Sequence, residues 1–169
     1  GRLHALVNNA GISPKGPDKS RLGVMGTDAD IWTQVLNVNL ISTALIARAL
    51  LPELEAAKGS IVNVTSIAGT RVHPFAGVAY AASKAALGSL TREMAHEFGR
   101  RGVRANAIAP GEIETSILSP GTDELVAAEV PMQRLGDPLE IAETIYFLCT
   151  EPSSYINGAE IHINGGQHV

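Results

Sequence analysis

I-V-N-V-T-S at Ile61–Ser66 and Y-A-A-S-K at Tyr80–Lys84 are the two runs on which the reading of this chain turns. The first is apolar and β-branched and ends in a hydroxyl, the pattern of a buried strand with Ser66 at its C-terminal end. The second opens a helix predicted from Tyr80 to about Phe98. Residues four apart share a helix face, so the phenol of Tyr80 and the ammonium of Lys84 point the same way, and the strand-end serine could meet them. The trio supplies a hydroxyl to bind a carbonyl oxygen, a phenol to move a proton and a cation to make that phenol more acidic. Free tyrosine titrates near pH ~10, too high for a base at neutral pH. A nearby ammonium and a cationic nicotinamide ring both favour phenolate, so a lowered Tyr80 pKa is expected. Such a phenol can protonate a developing alkoxide or, in reverse, deprotonate an alcohol. The hydride must come from a cofactor, because no side chain supplies one.

Outward from these runs the chain alternates. Leu3–Val7 reads as a short buried strand ending in Asn8-Asn9-Ala10-Gly11, and Ile12–Gly26 as an exposed Gly/Pro-rich loop. Thr27 or Asp28 caps a long helix that carries Asn39 within its apolar pattern and ends before Pro52. Gly59 precedes the strand at Ser60–Thr65. Thr70–Val78 is a turn-rich connection. On the helix from Tyr80, Leu87, Met94 and Phe98 fall on the Tyr80/Lys84 side, while Ala82, Ala85, Ala86 and Ser89 form a small-residue strip suited to another helix, including one from a second subunit. Val103–Ala109 is a third strand, ending at Pro110-Gly111. The segment Glu112–Gly136 reads as mobile, with Pro120-Gly121 and a short helix near Glu124–Glu129, and Glu112 and Glu114 are expected to be solvated. Asp137-Pro138-Leu139-Glu140 is a strong helix start. Asn157-Gly158 marks a turn and Glu160–Ile163 the last strand. Strands alternating with helices predict an α/β fold, a parallel sheet covered by helices, in one domain over 1–169.

Asn8/Asn9, Ser66 and Pro110-Gly111 all fall at strand C-termini, where open α/β sheets bind ligands. Composition removes several classes. The 169 residues are 45% apolar with a net charge of −4, enough for a core and without a basic patch for nucleic acid. The apolar region Val35–Leu51 is interrupted by Asn37, Asn39 and Arg48 and reads as a buried helix and not a membrane span. Cys149 is the single cysteine, so no internal disulfide forms. The five histidines have no metal spacing, and no metal site is expected; His73 borders the mouth of the site. A cytoplasmic protein is the expectation.

N-N-A-G at Asn8–Gly11, N-V-N-L around Asn39, the strand-end Ser66, Y-x-x-x-K at Tyr80–Lys84, P-G-x-I-x-T at Pro110–Thr115 and the closing I-N-G-A-E-I-H-I-N-G-G together resemble the short-chain dehydrogenases/reductases, in the branch of the 3-oxoacyl-carrier-protein reductases and sugar/polyol dehydrogenases. The resemblance implies a Rossmann-like doubly wound sheet, NAD or NADP as cofactor, a small carbonyl or secondary-alcohol substrate, and a homo-oligomer, tetramer or dimer. It implies roles as well. Tyr80 matches the proton donor/acceptor and Lys84 the residue that binds the nicotinamide ribose. Ser66 matches the hydroxyl that orients substrate, and Asn39 the helix asparagine that holds a water in the proton relay. Asn9, Ala10 and Gly11 match the turn under the adenosine side of the cofactor. Pro110, Gly111, Ile113 and Thr115 match the segment that meets the nicotinamide amide. The variable stretch after Thr115, within Glu112–Gly136, matches the substrate lid, and Asn8 reads as structural.

The family's T-G-x-x-x-G-x-G phosphate-binding turn precedes the N-N-A-G strand and has no counterpart in residues 1–169. The chain is therefore expected to be the C-terminal portion of the fold, lacking the N-terminal half that cradles pyrophosphate at a helix N-terminus. The rival expectation is a non-catalytic remnant or an oligomerising module of the same fold.

Overall fold

The computed structural model describes residues 1–115 and 118–169. Four strands form one sheet in the order of the chain, each parallel to its neighbours: β1 (Ala5–Asn8), β2 (Ser60–Val64), β3 (Arg104–Pro110) and β4 (Glu160–Ile163). Between β1 and β2 run α1 (Ala29–Leu36) and α2 (Ser42–Ala57), joined without a break by a wide π turn at Asn37–Ile41. α3 (Val78–Gly99) joins β2 to β3, and α4 (Thr122–Glu129) and α5 (Pro138–Cys149) lie between β3 and β4. The predicted α/β parallel sheet is the observed one.

Alternation along the strands sets the layers. Ile61 and Ala105 point to one face and pack with Ala47, Leu51 and Leu54 of α2 and Met94, Ala95 and Phe98 of α3. Val62 and Ile108 point to the other and pack with Leu148 of α5, flanked by Ile161 and Ile163. Burial on both faces explains why β2 and β3 read as near-continuous apolar runs.

Asparagines break those runs and are paired inside the protein. Asn8 Nδ2 donates to Asn63 Oδ1 at 2.8 Å, and Asn63 Nδ2 donates to Thr91 Oγ1 at 2.9 Å, tying β1, β2 and α3 together. Asn8 is thus a structural residue, as read.

The helix starts follow the sequence where a capping side chain exists. Asp28 accepts from Ile31 N at 2.9 Å. Asp137 and Glu140 form a complete capping box. Two boundaries differ from expectation. α3 begins at Val78, two residues before Tyr80, because Gly77 supplies the extended entry without a capping side chain. Pro52 lies inside α2 and does not end it; burial of Leu51 and Leu54 carries the rod on to Ala57. By length and composition the rod Ala29–Ala57 could cross a membrane, but here one side of it packs on the sheet.

Candidate active site

β2 ends at Val64 and the chain turns at once. Ser66 caps a short 3-10 turn, Ile67–Gly69, its Oγ accepting from Ala68 N at 3.1 Å. That turn lies directly on α3. A Cβ added to Gly69 would stand 2.9 Å from the Ala85 nitrogen and from the Lys84 carbonyl carbon, so only glycine lets the Ser66 turn sit this close to the helix. The approach brings the Ser66 hydroxyl and the Tyr80 phenol onto one cleft, where the hydroxyl acts to lower the phenol's pKa.

Lys84 is buried, and its Nζ donates to the Val64 carbonyl at 2.7 Å while lying 5.6 Å from the centre of the Tyr80 ring. The three residues singled out from the sequence are one cluster, fixed by a strand end and the first turns of a helix.

Asn39, also buried, faces the cluster from the π turn. Its Oδ1 accepts from Ile12 N at 2.8 Å, and its Nδ2 donates to Ile12 O at 3.0 Å and to Ser83 Oγ at 3.0 Å. The amide clamps the loop after β1 onto α3. Gly11, just before the clamp, is the close point: a Cβ there would lie 3.4 Å from both Asn39 Oδ1 and Lys84 Nζ.

These groups line a cleft of about 620 Å³ at the C-terminal ends of β1, β2 and β3. Asn9, Ala10 and Gly11 form one rim, Pro110, Gly111, Ile113 and Thr115 another, and Ser66, Tyr80 and Lys84 the wall between. Every residue predicted for the site lines it except Asn39, which stands behind it. Of the expected lid, Ser116 and Ile117 lie outside the described residues.

The electrostatics correct the sequence in two places. Tyr80 was expected below its ordinary pKa; it is held above it. Burial raises it most, the Ser66 hydroxyl pulls it back, and the negative charge of Glu112 raises it further. Lys84, whose own pKa burial lowers to about 8, is not among the groups that set the direction of this shift. Glu112, expected to be solvated, is 9% exposed in its side chain and pairs with His73 Nε2. His73 and Glu112, with Lys15 and Phe75, make the mouth of the cleft. The only signal for this in the sequence was the position of His73 near the mouth.

The fold and this cluster define an α/β protein with a serine–tyrosine–lysine cleft at the edge of a parallel sheet. The family profile described as enoyl-(acyl carrier protein) reductase matches residues 1–168. The chain belongs to the short-chain dehydrogenase/reductase family. It is 58% identical over 167 residues to Protein FixR of Bradyrhizobium diazoefficiens, covering 99% of this chain and 60% of that protein. A short-chain dehydrogenase/reductase from Brucella ovis, solved with a partially ordered NAD, superposes with a TM-score of 0.80 at 57% identity, covering 96% of this chain and 66% of that one. The 3-oxoacyl-[acyl-carrier protein] reductase of Brucella melitensis gives a TM-score of 0.93 at 36% identity, covering 99% and 63%. The chain thus spans about two thirds of the length of these relatives or less.

Proposed function

We propose that this chain is the catalytic and substrate-binding portion of an NAD(P)-dependent oxidoreductase that interconverts a carbonyl and a secondary alcohol. The observation that carries the reading is the convergence of Ser66, Tyr80 and Lys84 on one cleft large enough for a nicotinamide and a small ketone. The cleft fits the nicotinamide end of such a cofactor. Gly11 keeps a side chain away from Lys84 Nζ, and the rims at Asn9–Gly11 and Pro110–Ile113 stand on either side. Among the described residues nothing matches a glycine turn leading into a helix for the pyrophosphate. Tight binding is therefore expected only when that part of the fold is supplied.

NAD(H) or NADP(H), when bound, supplies or accepts the hydride. The chain's own residues do the rest. Ser66 donates a hydrogen bond to the carbonyl oxygen and fixes it against Tyr80. Tyr80 hands its phenolic proton to that oxygen as negative charge develops there. A pKa held above the ordinary value keeps the proton on Tyr80 until charge develops on the carbonyl oxygen. Lys84 holds the ribose, and Asn39 positions the loop that forms the rim. A homo-oligomer is part of the proposal, supported by the exposed Ala82, Ala85 and Ser89 on α3 and by exposed Leu139 and Tyr146 on α5.

The test joins this chain to the N-terminal third of the Brucella ovis relative and follows NADH and NADPH consumption with a panel of small ketones. Tyr80→Phe should lower kcat at least 1,000-fold while the thermal midpoint stays put. Undiminished turnover in that variant would overturn the assignment. Calorimetry of residues 1–169 alone with NADH and NADPH addresses the remnant reading: weak binding restored in the chimera supports the enzyme, and none in either supports the remnant.

A further inference from the structure

The carbonyl site accounts for Ser66, Tyr80 and Lys84 but leaves a second group of ionisable residues in the same cleft unexplained. Glu112 and His73 have side chains only 9% and 10% exposed. Both line the cleft with Tyr80, and the charge of Glu112 is felt at the phenol.

Their hydrogen bonds fix a state. His73 Nδ1 accepts from the Phe75 backbone N–H at 3.2 Å, so it carries no proton. Nε2 is then the protonated nitrogen and donates to Glu112 Oε1. This is a neutral imidazole holding a carboxylate, so His73 aims the charge of Glu112 without cancelling it. The Phe75 ring, edge-on to the imidazole at 5.8 Å, keeps it in place.

The other cations of the cleft make their hydrogen bonds elsewhere, although on Lys15, whose pKa burial lowers, the charge of Glu112 acts in the raising direction. Lys15, on the exposed outer rim, donates to the Phe75 carbonyl, and Lys84 donates to the Val64 carbonyl at the inner wall. A carboxylate is an acceptor only. His73 supplies one donor, to Oε1, and leaves the rest of the carboxylate's acceptor capacity to whatever enters the cleft that Glu112 lines.

We propose that Glu112, aimed by His73, selects the substrate by accepting a hydrogen bond from a hydroxyl or protonated amine close to the reacting carbonyl. The class is then the hydroxy- and amino-ketones and their alcohols. Plain alkyl ketones bring no further donor for the carboxylate, and 2-oxo acids meet it with a like charge. This rests on reading the cleft as a carbonyl site, and it adds the chemistry of what enters.

The test has two arms. In the first, residues 1–169 labelled with ¹⁵N and ¹³C are titrated with aminoacetone, hydroxyacetone, butanone and pyruvate. The first two should shift the Glu112 carboxyl and His73 ring signals at concentrations at least tenfold lower than butanone, with pyruvate weakest. The ¹⁵N shifts of His73 should report a protonated Nε2. Glu112→Gln should close the gap between ketones while leaving the thermal midpoint within a few degrees; His73→Gln should narrow it less.

In the second arm, the chimera described above is assayed for kcat/KM on the same four compounds. A preference of at least tenfold for the donor-bearing ketones, lost in Glu112→Gln through KM, supports the proposal. Equal use of butanone and aminoacetone, or equal losses on both in Glu112→Gln, overturns it while the carbonyl reading stands. Donor-selective binding in the first arm without turnover in the second overturns the carbonyl reading and leaves Glu112 as the recognition group. Indifferent binding without turnover overturns both.

Discussion

The inner wall of the cleft and its mouth differ in how the chain builds them. Ser66 and Lys84 are placed by a strand end and the first turns of the helix packed on it, and the Lys84–Val64 hydrogen bond spans only 20 residues of chain. The mouth draws Lys15, His73 and Glu112 from three separate connections, with 39 residues between His73 and Glu112 and 60 between Lys15 and the Phe75 carbonyl it meets. The wall is secured by sheet register and helix packing. The mouth is secured by side chains reaching between loops, so it can change without unsettling the fold. Chemistry common to the family suits the first, and substrate choice suits the second.

The largest expected effect lies in the wall. Lys84→Met should reduce kcat/KM of the chimera at least 100-fold, and it should also remove a pH dependence of stability. In the folded chain Lys84 gives up its proton near pH 8, and in the unfolded chain near 10.5. Between those values the unfolded state binds more protons, so stability rises with pH across that window. The gain is at most about 3 kcal/mol at ~1.4 kcal/mol per unit. Tyr80 acts oppositely: its raised pKa lets the folded state hold a proton longer, so its contribution falls as pH climbs above 10. Urea melts of wild type at pH 7 and 9.5 should differ where those of Lys84→Met do not. A flat wild-type profile would mean the ammonium is better solvated than its burial implies.

Next comes the joint between strand and helix. Gly69→Ala places a methyl 2.9 Å from backbone atoms of Lys84 and Ala85, so the Ser66 turn must lift from α3. A displacement of about 1 Å at a catalytic group can cost about 100-fold in rate. A 10- to 100-fold loss in kcat is expected, with Tyr80 unshifted in a crystal structure. Unchanged kcat would show that Ser66 does not need this spacing.

Behind the wall, Asn63→Ala removes the partner of the half-buried Asn8 amide and one of the two hydrogen bonds of the Thr91 hydroxyl, which keeps its bond to the Leu87 carbonyl. About 2 kcal/mol of stability should be lost, read as a lower urea midpoint with little change in KM.

The sequence reveals the wall much better than the mouth, and the reason is physical. Strand alternation and helical period are local, so Ile61–Ser66 and Tyr80–Lys84 announce both their own conformation and the side their functional groups face. The cap at Asp28 and the box at Asp137/Glu140 were legible on the same ground. Pro52 misled because tertiary burial of Leu54 overrode a local breaker. The sign of the Tyr80 shift was missed because spacing shows that a lysine is near but not how dry the site is. Glu112 was read as solvated because nothing local marks a loop glutamate as buried; only the arrival of His73 from another loop does.

The smallest effect sharpens the contrast from the mouth side. Arg71 follows the Ser66 turn, and its guanidinium donates to the Gln167 carbonyl at 2.6 Å and to Glu129 of α4 at 2.9 Å. It thereby clasps the lid helix and the C-terminal segment to the Ser66–Tyr80 connection. The pair with Glu129 is more than a third exposed on the arginine side, so solvent screens most of its attraction, and such contacts contribute about 0–1 kcal/mol. Arg71→Leu should therefore lower the thermal midpoint by no more than a few degrees. If the clasp holds the lid over the mouth, KM should rise several-fold while kcat keeps its value, since Ser66 and Tyr80 are held by the wall. A fall in kcat instead would show that wall and mouth are mechanically one unit, and the division between a fixed catalytic wall and an adjustable mouth would not hold.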